Sequence, residues 1–133
     1  MSERVGVVVV SHSAAVAESV AAMAVALAGG GFERIASAGG TADGSFGTDA
    51  DRITAAAHAV DAGAGVAILA DLGSAVLTVQ ALLTEEDELP PDTRLLDAPL
   101  VEGTVAAVVT AAAGGDLEAV ESAAREAYDY RKG

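Results

Sequence analysis

The chain has 133 residues, no cysteine, no tryptophan and a formal net charge of −13, from 20 acids against seven bases. That balance argues against nucleic acid, whose affinity rests on clustered Lys and Arg, and against anionic membrane surfaces. Without thiols there are neither disulfides nor thiolate metal sites, which fits a cytoplasmic protein, and the length suits one domain over 1–133.

Only four residues are aromatic (Phe32, Phe46, Tyr128 and Tyr130), whereas 32 are Ala and 17 are Val. The core must therefore come from small and β-branched side chains held at short range. Met1-Ser2-Glu3-Arg4 leads into Val5–Val10, a continuous β-branched run of the kind buried on both faces of a parallel sheet. No targeting pattern is read at either end. Ser11-His12-Ser13 closes the run. Val16, Val20, Met23, Ala24 and Leu27 then recur every three or four residues, so 14–28 is expected to be a helix with these residues as its buried stripe. Gly29-Gly30-Gly31 stops it.

Residues 35–38 predict a short second strand, and the glycine-rich stretch 39–47 a flexible loop. Thr48 is expected to cap a second helix, with acids in its first turn and Ile53, Ala56, Ala57 and Val60 buried, ending near Gly63. Val66–Ala70 is another bare apolar run and a third strand. Asp71-Leu72-Gly73-Ser74 predicts a tight turn before a helix over 75–83, with Val76, Val79, Gln80 and Leu83 on one or adjoining faces. Glu85–Asp92 is an acidic loop, 94–96 a fourth strand, 101–113 a helix, and 117–131 a last helix capped by Asp116. The longest apolar stretches, 14–28 and 101–113, are shorter than the ~20 residues of a membrane span. Alternating strands and helices imply an α/β fold, a three-layer sandwich with a mainly parallel sheet of order about 2-1-3-4 and helices on both faces.

In such a sheet, ligands bind beyond the C-terminal strand ends where strand order reverses. With order 2-1-3-4, Ser11-His12-Ser13 and Asp71-Leu72-Gly73-Ser74 meet there, so that His12 and Asp71 can pair. An Asp that accepts from one imidazole N–H fixes the tautomer and leaves the other nitrogen as a nucleophile. Ser11, Ser13, Gly73 and Ser74, with the backbone N–H groups of the following helices, could hold a phosphoryl group at that nitrogen. His58 reads as a half-exposed helical residue without a catalytic part. Two histidines and no Cys argue against a transition-metal site. Gly39-Gly40 and 44–47 form neither a Walker nor a Rossmann loop, so no nucleotide or other cofactor is expected.

Four separated segments, Val8–Ser13, Gly47–Asp49, Ala70–Ala75 and Ala98–Thr104, together resemble the phosphotransfer subunits of phosphoenolpyruvate-dependent dihydroxyacetone kinases. The first domain of those subunits is similar to the mannose-type IIA domains of the bacterial sugar phosphotransferase system. The resemblance runs along essentially the whole chain. It implies a homodimer with a phosphohistidine at His12 and a supporting carboxylate at Asp71. It also implies partners. HPr, charged from phosphoenolpyruvate by enzyme I, would phosphorylate His12. The phosphoryl group would then pass to ADP on a nucleotide-binding kinase subunit, which phosphorylates dihydroxyacetone held on a third subunit, a step in glycerol metabolism. Some relatives carry fused carrier-like and enzyme I-like domains, which the resemblance would place on separate proteins or beyond this stretch. A IIA component of mannose-type sugar transport is the nearest alternative. A receiver module phosphorylated on Asp71 fits less well, because it needs an acidic pair after the first strand and a late lysine, and Lys132 is the only lysine.

Overall fold

The β-branched run after Arg4 forms β1 (Gly6–Ser11), and all of its residues are buried. It lies at the centre of the sheet in a computed structural model that describes residues 3–133; Met1 and Ser2, which begin the N-terminal segment read above, lie outside it. The element order is β1, α1 (Ala14–Leu27), β2 (Ile35–Gly39), α2 (Ala50–Val60), β3 (Val66–Ala70), α3 (Gly73–Thr84), β4 (Thr93–Leu95), α4 (Leu100–Ala112) and α5 (Leu117–Glu126), followed by a 3-10 turn at Ala127–Asp129. The four strands are parallel in the order β2-β1-β3-β4. This is the expected α/β sandwich, with the reversal of strand order between β1 and β3.

Side-chain alternation divides the core. Val7, Ala67 and Leu69 face α4 and α5, and Val9 packs with Ala17 and Val20 of α1. Val8, Val10, Ile68 and Ala70 face α2 and α3. Small residues let these layers close. A Cβ on Gly39 would stand 2.5 Å from the Ser13 carbonyl oxygen, and one on Gly6 would stand 2.5 Å from that of Val60. Any side chain at either position would force backbone apart.

The same closeness corrects the stripe expected on α1. Ala17, Val20 and Ala24 are its buried residues, while Val16, Met23 and Leu27 are exposed. The helix is apolar nearly all round, so periodicity alone cannot choose a face, and the narrow gap to the sheet selects alanine. On α3 the buried face is Ala75, Val79 and Leu82, with Leu83 exposed; the helix starts at Gly73, so the expected four-residue turn shrinks to Asp71-Leu72. Asp49, not Thr48, caps α2, because its carboxylate accepts from the Asp51 and Arg52 N–H groups. The Thr48 hydroxyl instead meets that of Thr78 at 3.2 Å. That helix ends at Val60 and has its four expected residues buried. The last helix stops at Glu126, short of Arg131, where Ala127 is buried and the Tyr128 hydroxyl donates to Asp97 at 2.9 Å. No helix among the described residues is long and apolar enough to cross a membrane.

Candidate functional site

His12 and Asp71 are brought together by strand register. Val10 pairs with Ala70 across β1 and β3, and the Asp71 N–H donates to the Val10 carbonyl at 3.1 Å. The residues that follow on both strands therefore leave the sheet side by side. The His12 ring meets Asp71 through Nδ1, 2.9 Å from Oδ1. A carboxylate only accepts, so Nδ1 carries the hydrogen and Nε2 of the neutral ring keeps its lone pair. The Ser74 hydroxyl stands within hydrogen-bond reach of Nε2 and donates to it.

Asp71 is clamped from several sides. Its Oδ2 accepts from the Ser11 hydroxyl at 2.8 Å and the His12 N–H at 3.0 Å, and its Oδ1 accepts from the Leu72 N–H at 2.7 Å. Partial burial alone would raise its pKa, but the Leu72 and His12 N–H groups, the His12 ring and the Ser11 hydroxyl together hold it below the ordinary carboxylate value. The carboxylate thus stays ionised beside the imidazole.

The expected phosphoryl-binding residues fall into two kinds of place. Ser11 is buried, and its oxygen also accepts from the Ser13 N–H at 3.0 Å, so both its polar contacts lie beneath the pair. Ser13 caps α1 by accepting from the Val16 N–H at 3.2 Å, which leaves its hydroxyl hydrogen unassigned. Gly73 and Ser74 open α3, whose N-terminus has no side-chain cap. A Cβ on Gly73 would meet nothing within 4 Å. An uncapped helix start beside a nucleophilic nitrogen offers N–H donors and the positive end of the helix dipole to an anion.

Two supports were not legible in the motifs. The loop after β2 folds back on β1, with the Gly40 N–H donating to the Ser11 carbonyl at 3.2 Å and the Gly47 N–H to the His12 carbonyl at 2.9 Å. Thr78 donates to the Ser74 carbonyl at 2.8 Å and joins α3 to Thr48. The glycine pair at 39–40, where a strand end must pass under α1, is the available signal. His58 lies apart: it is exposed, and its Nε2 donates to the Glu88 carbonyl at 2.9 Å. Among the described residues, no three His, Cys, Asp or Glu side chains converge as a metal site.

A parallel sandwich with an Asp-held imidazole at its switch point has the architecture of a IIA-type domain, and comparison agrees on the family. Residues 6–121 match the EIIA-man family, the PTS system fructose IIA component. The chain belongs to that family, and the relatives it resembles include phosphoryl donor subunits of phosphoenolpyruvate-dependent dihydroxyacetone kinase. It is 40% identical over 126 residues to the phosphoryl donor subunit DhaM of the kinase from Pantoea ananatis (strain LMG 20103), covering 92% of this chain and 27% of that one. The DhaM subunit of Escherichia coli (strain K12) is 37% identical, over 96% of this chain and 28% of its own. The chain thus spans just over a quarter of these two relatives. A DhaM subunit of Listeria innocua serovar 6a (strain ATCC BAA-680 / CLIP 11262) is 36% identical over 87% of this chain and 93% of its own. A crystal structure described as the unknown function protein EF1359 superposes with a TM-score of 0.79 at 34% identity, covering 98% of both chains.

Proposed function

We propose that this protein is a phosphohistidine carrier that takes a phosphoryl group from HPr on His12 Nε2 and delivers it to ADP on a partner kinase subunit, for dihydroxyacetone phosphorylation. The observation that carries this reading is the ring itself, tied at Nδ1 to an ionised Asp71 and presenting Nε2 at the open start of α3. In the first step the Nε2 lone pair attacks phosphorus on the donor's phosphohistidine. The new N–P bond forms as the donor's breaks, and the donor imidazole leaves with the electron pair. Asp71 stabilises the positive charge that develops on the His12 ring. Ser74, Ser13 and the Gly73 and Ser74 N–H groups would hold the phosphoryl oxygens, and Ser11 acts by fixing Asp71. In the second step a β-phosphate oxygen of ADP attacks the same phosphorus, and the Nε2–P bond breaks to return His12. Positioning and charge stabilisation supply the catalysis, while the kinase chemistry on the sugar belongs to the partner. Asp71 already accepts from four groups, which disfavours it as the acceptor itself.

The homodimer implied by the resemblance has a suitable face. Met23 and Leu27 of α1 and Val101, Val105 and Val109 of α4 line an apolar cavity of about 430 Å³ beside Tyr130. A second copy covering it would remove exposed apolar surface from water.

The test is labelling from phosphoenolpyruvate through enzyme I and HPr. Label is expected in an acid-labile, base-stable bond, absent in His12→Ala and retained in His58→Ala. Equal labelling of the two variants would sink the proposal. Transfer of the label to ADP in the presence of the kinase subunit, rather than to a sugar transporter, decides the final acceptor.

A further inference from the structure

Ser74 has two tasks in the carrier reading. Its hydroxyl donates to Nε2 of the free ring. Once Nε2 carries the phosphoryl group its lone pair is used, and the hydroxyl must turn to a phosphoryl oxygen. Side-chain rotation is enough for that change only if the Ser74 backbone stays in one place relative to His12. On α3 itself, Leu72 is anchored through its N–H to Asp71, and Ala75 is buried. Gly73 and Ser74 between them are exposed, and the helix start has no side-chain cap.

A brace for Ser74 arrives from another segment. The Thr78 hydroxyl donates to the Ser74 carbonyl at 2.8 Å, and the Thr48 and Thr78 hydroxyl oxygens are 3.2 Å apart. Thr78 has given its one hydrogen to a carbonyl, so Thr48 is the donor between the two. Asp49 caps α2 in place of Thr48, which leaves the Thr48 hydroxyl available. Just before it, the Gly47 N–H donates to the His12 carbonyl at 2.9 Å. These bonds close a ring. It runs from the His12 carbonyl through Gly47 and Thr48 to Thr78, then to the Ser74 carbonyl, and returns through the Ser74 hydroxyl to Nε2 of the same histidine. A threonine bonded to the carbonyl one turn back is ordinary in a helix and by itself means little. The bond from Thr48 is different, because it crosses 30 residues to reach the one turn that faces Nε2.

We propose that Thr48 and Thr78 are positioning residues for phosphoryl transfer, acting through Ser74. They hold its backbone so that the hydroxyl meets Nε2 in the free state and a phosphoryl oxygen in the loaded one. The proposal rests on the carrier reading above and adds the means by which the hydroxyl is kept in register. It also gives each residue of Gly47–Asp49 a separate part: Gly47 bonds the backbone of His12, Thr48 braces α3 and Asp49 caps α2. A misplacement of about 1 Å at a reacting group can slow a reaction severely, so a remote hydroxyl pair can matter to the rate without touching the phosphoryl group.

The experiment follows label transfer to the intact chain from HPr phosphorylated by enzyme I and phosphoenolpyruvate. Thr78→Val removes the hydroxyl and nearly keeps the shape. Its rate at saturating HPr is expected to fall by about fivefold, with KM changed by less than about twofold. Thr78→Ser keeps the hydroxyl and should recover most of the rate. Thr48 acts only through Thr78, so Thr48→Val/Thr78→Val should be no slower than Thr78→Val alone. In a Ser74→Ala background the group being positioned is gone, and Thr78→Val should slow transfer by less than about 1.5-fold. The NMR signal of the Nε2 nitrogen reads the same hydrogen bond without any transfer. In Thr78→Val it should move from the wild-type position toward that of Ser74→Ala, and in Thr78→Ser it should return. A wild-type rate in Thr78→Val overturns the proposal, as does a Thr78→Ser chain as slow as Thr78→Val. So do costs of Thr78→Val and Ser74→Ala that simply multiply, which would make Thr78 a support of the fold. A wild-type chain left unlabelled at His12 removes the carrier reading, and the positioning role with it, even where the Nε2 signal shifts as expected.

Discussion

The helices that follow β1 and β3 both begin with a serine near their first turn, and they use it in opposite ways. Ser13 turns its hydroxyl inward to the Val16 N–H and closes α1. Ser74 leaves α3 without a side-chain cap and reaches across to His12 Nε2. One helix start is closed by its own side chain and the other is left uncapped. The difference makes the switch point asymmetric: β1 supplies the imidazole, and β3 supplies both the carboxylate at Nδ1 and the hydroxyl at Nε2.

The sharpest way to break this comparison is Asp71→Asn. Without the carboxylate, the tautomer and the charge stabilisation of His12 are both lost, so label transfer from HPr should fall by about 10²-fold or more. Wild-type labelling rates in this variant would detach β3 from the chemistry. Ser74→Ala removes one hydrogen bond at Nε2, and transfer should slow by about tenfold with little change in the unfolding midpoint. Ser13→Ala should do the reverse, costing about 1 kcal/mol in urea unfolding while slowing transfer less than Ser74→Ala does. If the two serine variants behave alike, the asymmetry is wrong. The smallest effect is acid sensitivity. The Asp71 pKa is lowered from 3.8, so its contribution to stability is complete above that value and is lost as pH falls through the lower folded-state pKa. Urea midpoints of wild type and Asp71→Asn should therefore differ less at the acid end than near neutrality.

Much of this arrangement was legible in the residues. The β-branched runs at 5–10 and 66–70 announce central parallel strands, and the strand order then places His12 beside Asp71. The buried face of α1 was not legible. Ala, Val, Met and Leu surround that helix, and the buried set, Ala17, Val20 and Ala24 and not Met23 or Leu27, is fixed by tertiary packing. Hydroxyls were equally ambiguous. Thr48 and Asp49 are both acceptable caps, and Thr48 is drawn away by Thr78, 30 residues distant. Ser11 was expected at the phosphoryl group, yet its contacts are with Asp71 and the Ser13 N–H, a detail set by local geometry after β1 ends.

The pairing of Val10 with Ala70, two residues before His12 and one before Asp71, also bears on how the site can fluctuate. Loops that carry active residues usually open at far less free energy than the core. Here the backbones that carry the imidazole and its carboxylate leave the last rungs of the two innermost strands, so moving those backbones apart means parting β1 from β3. The backbones of the pair are therefore tied to the opening of the central sheet. A site built this way holds the backbone beneath its imidazole fixed in the frame of the sheet.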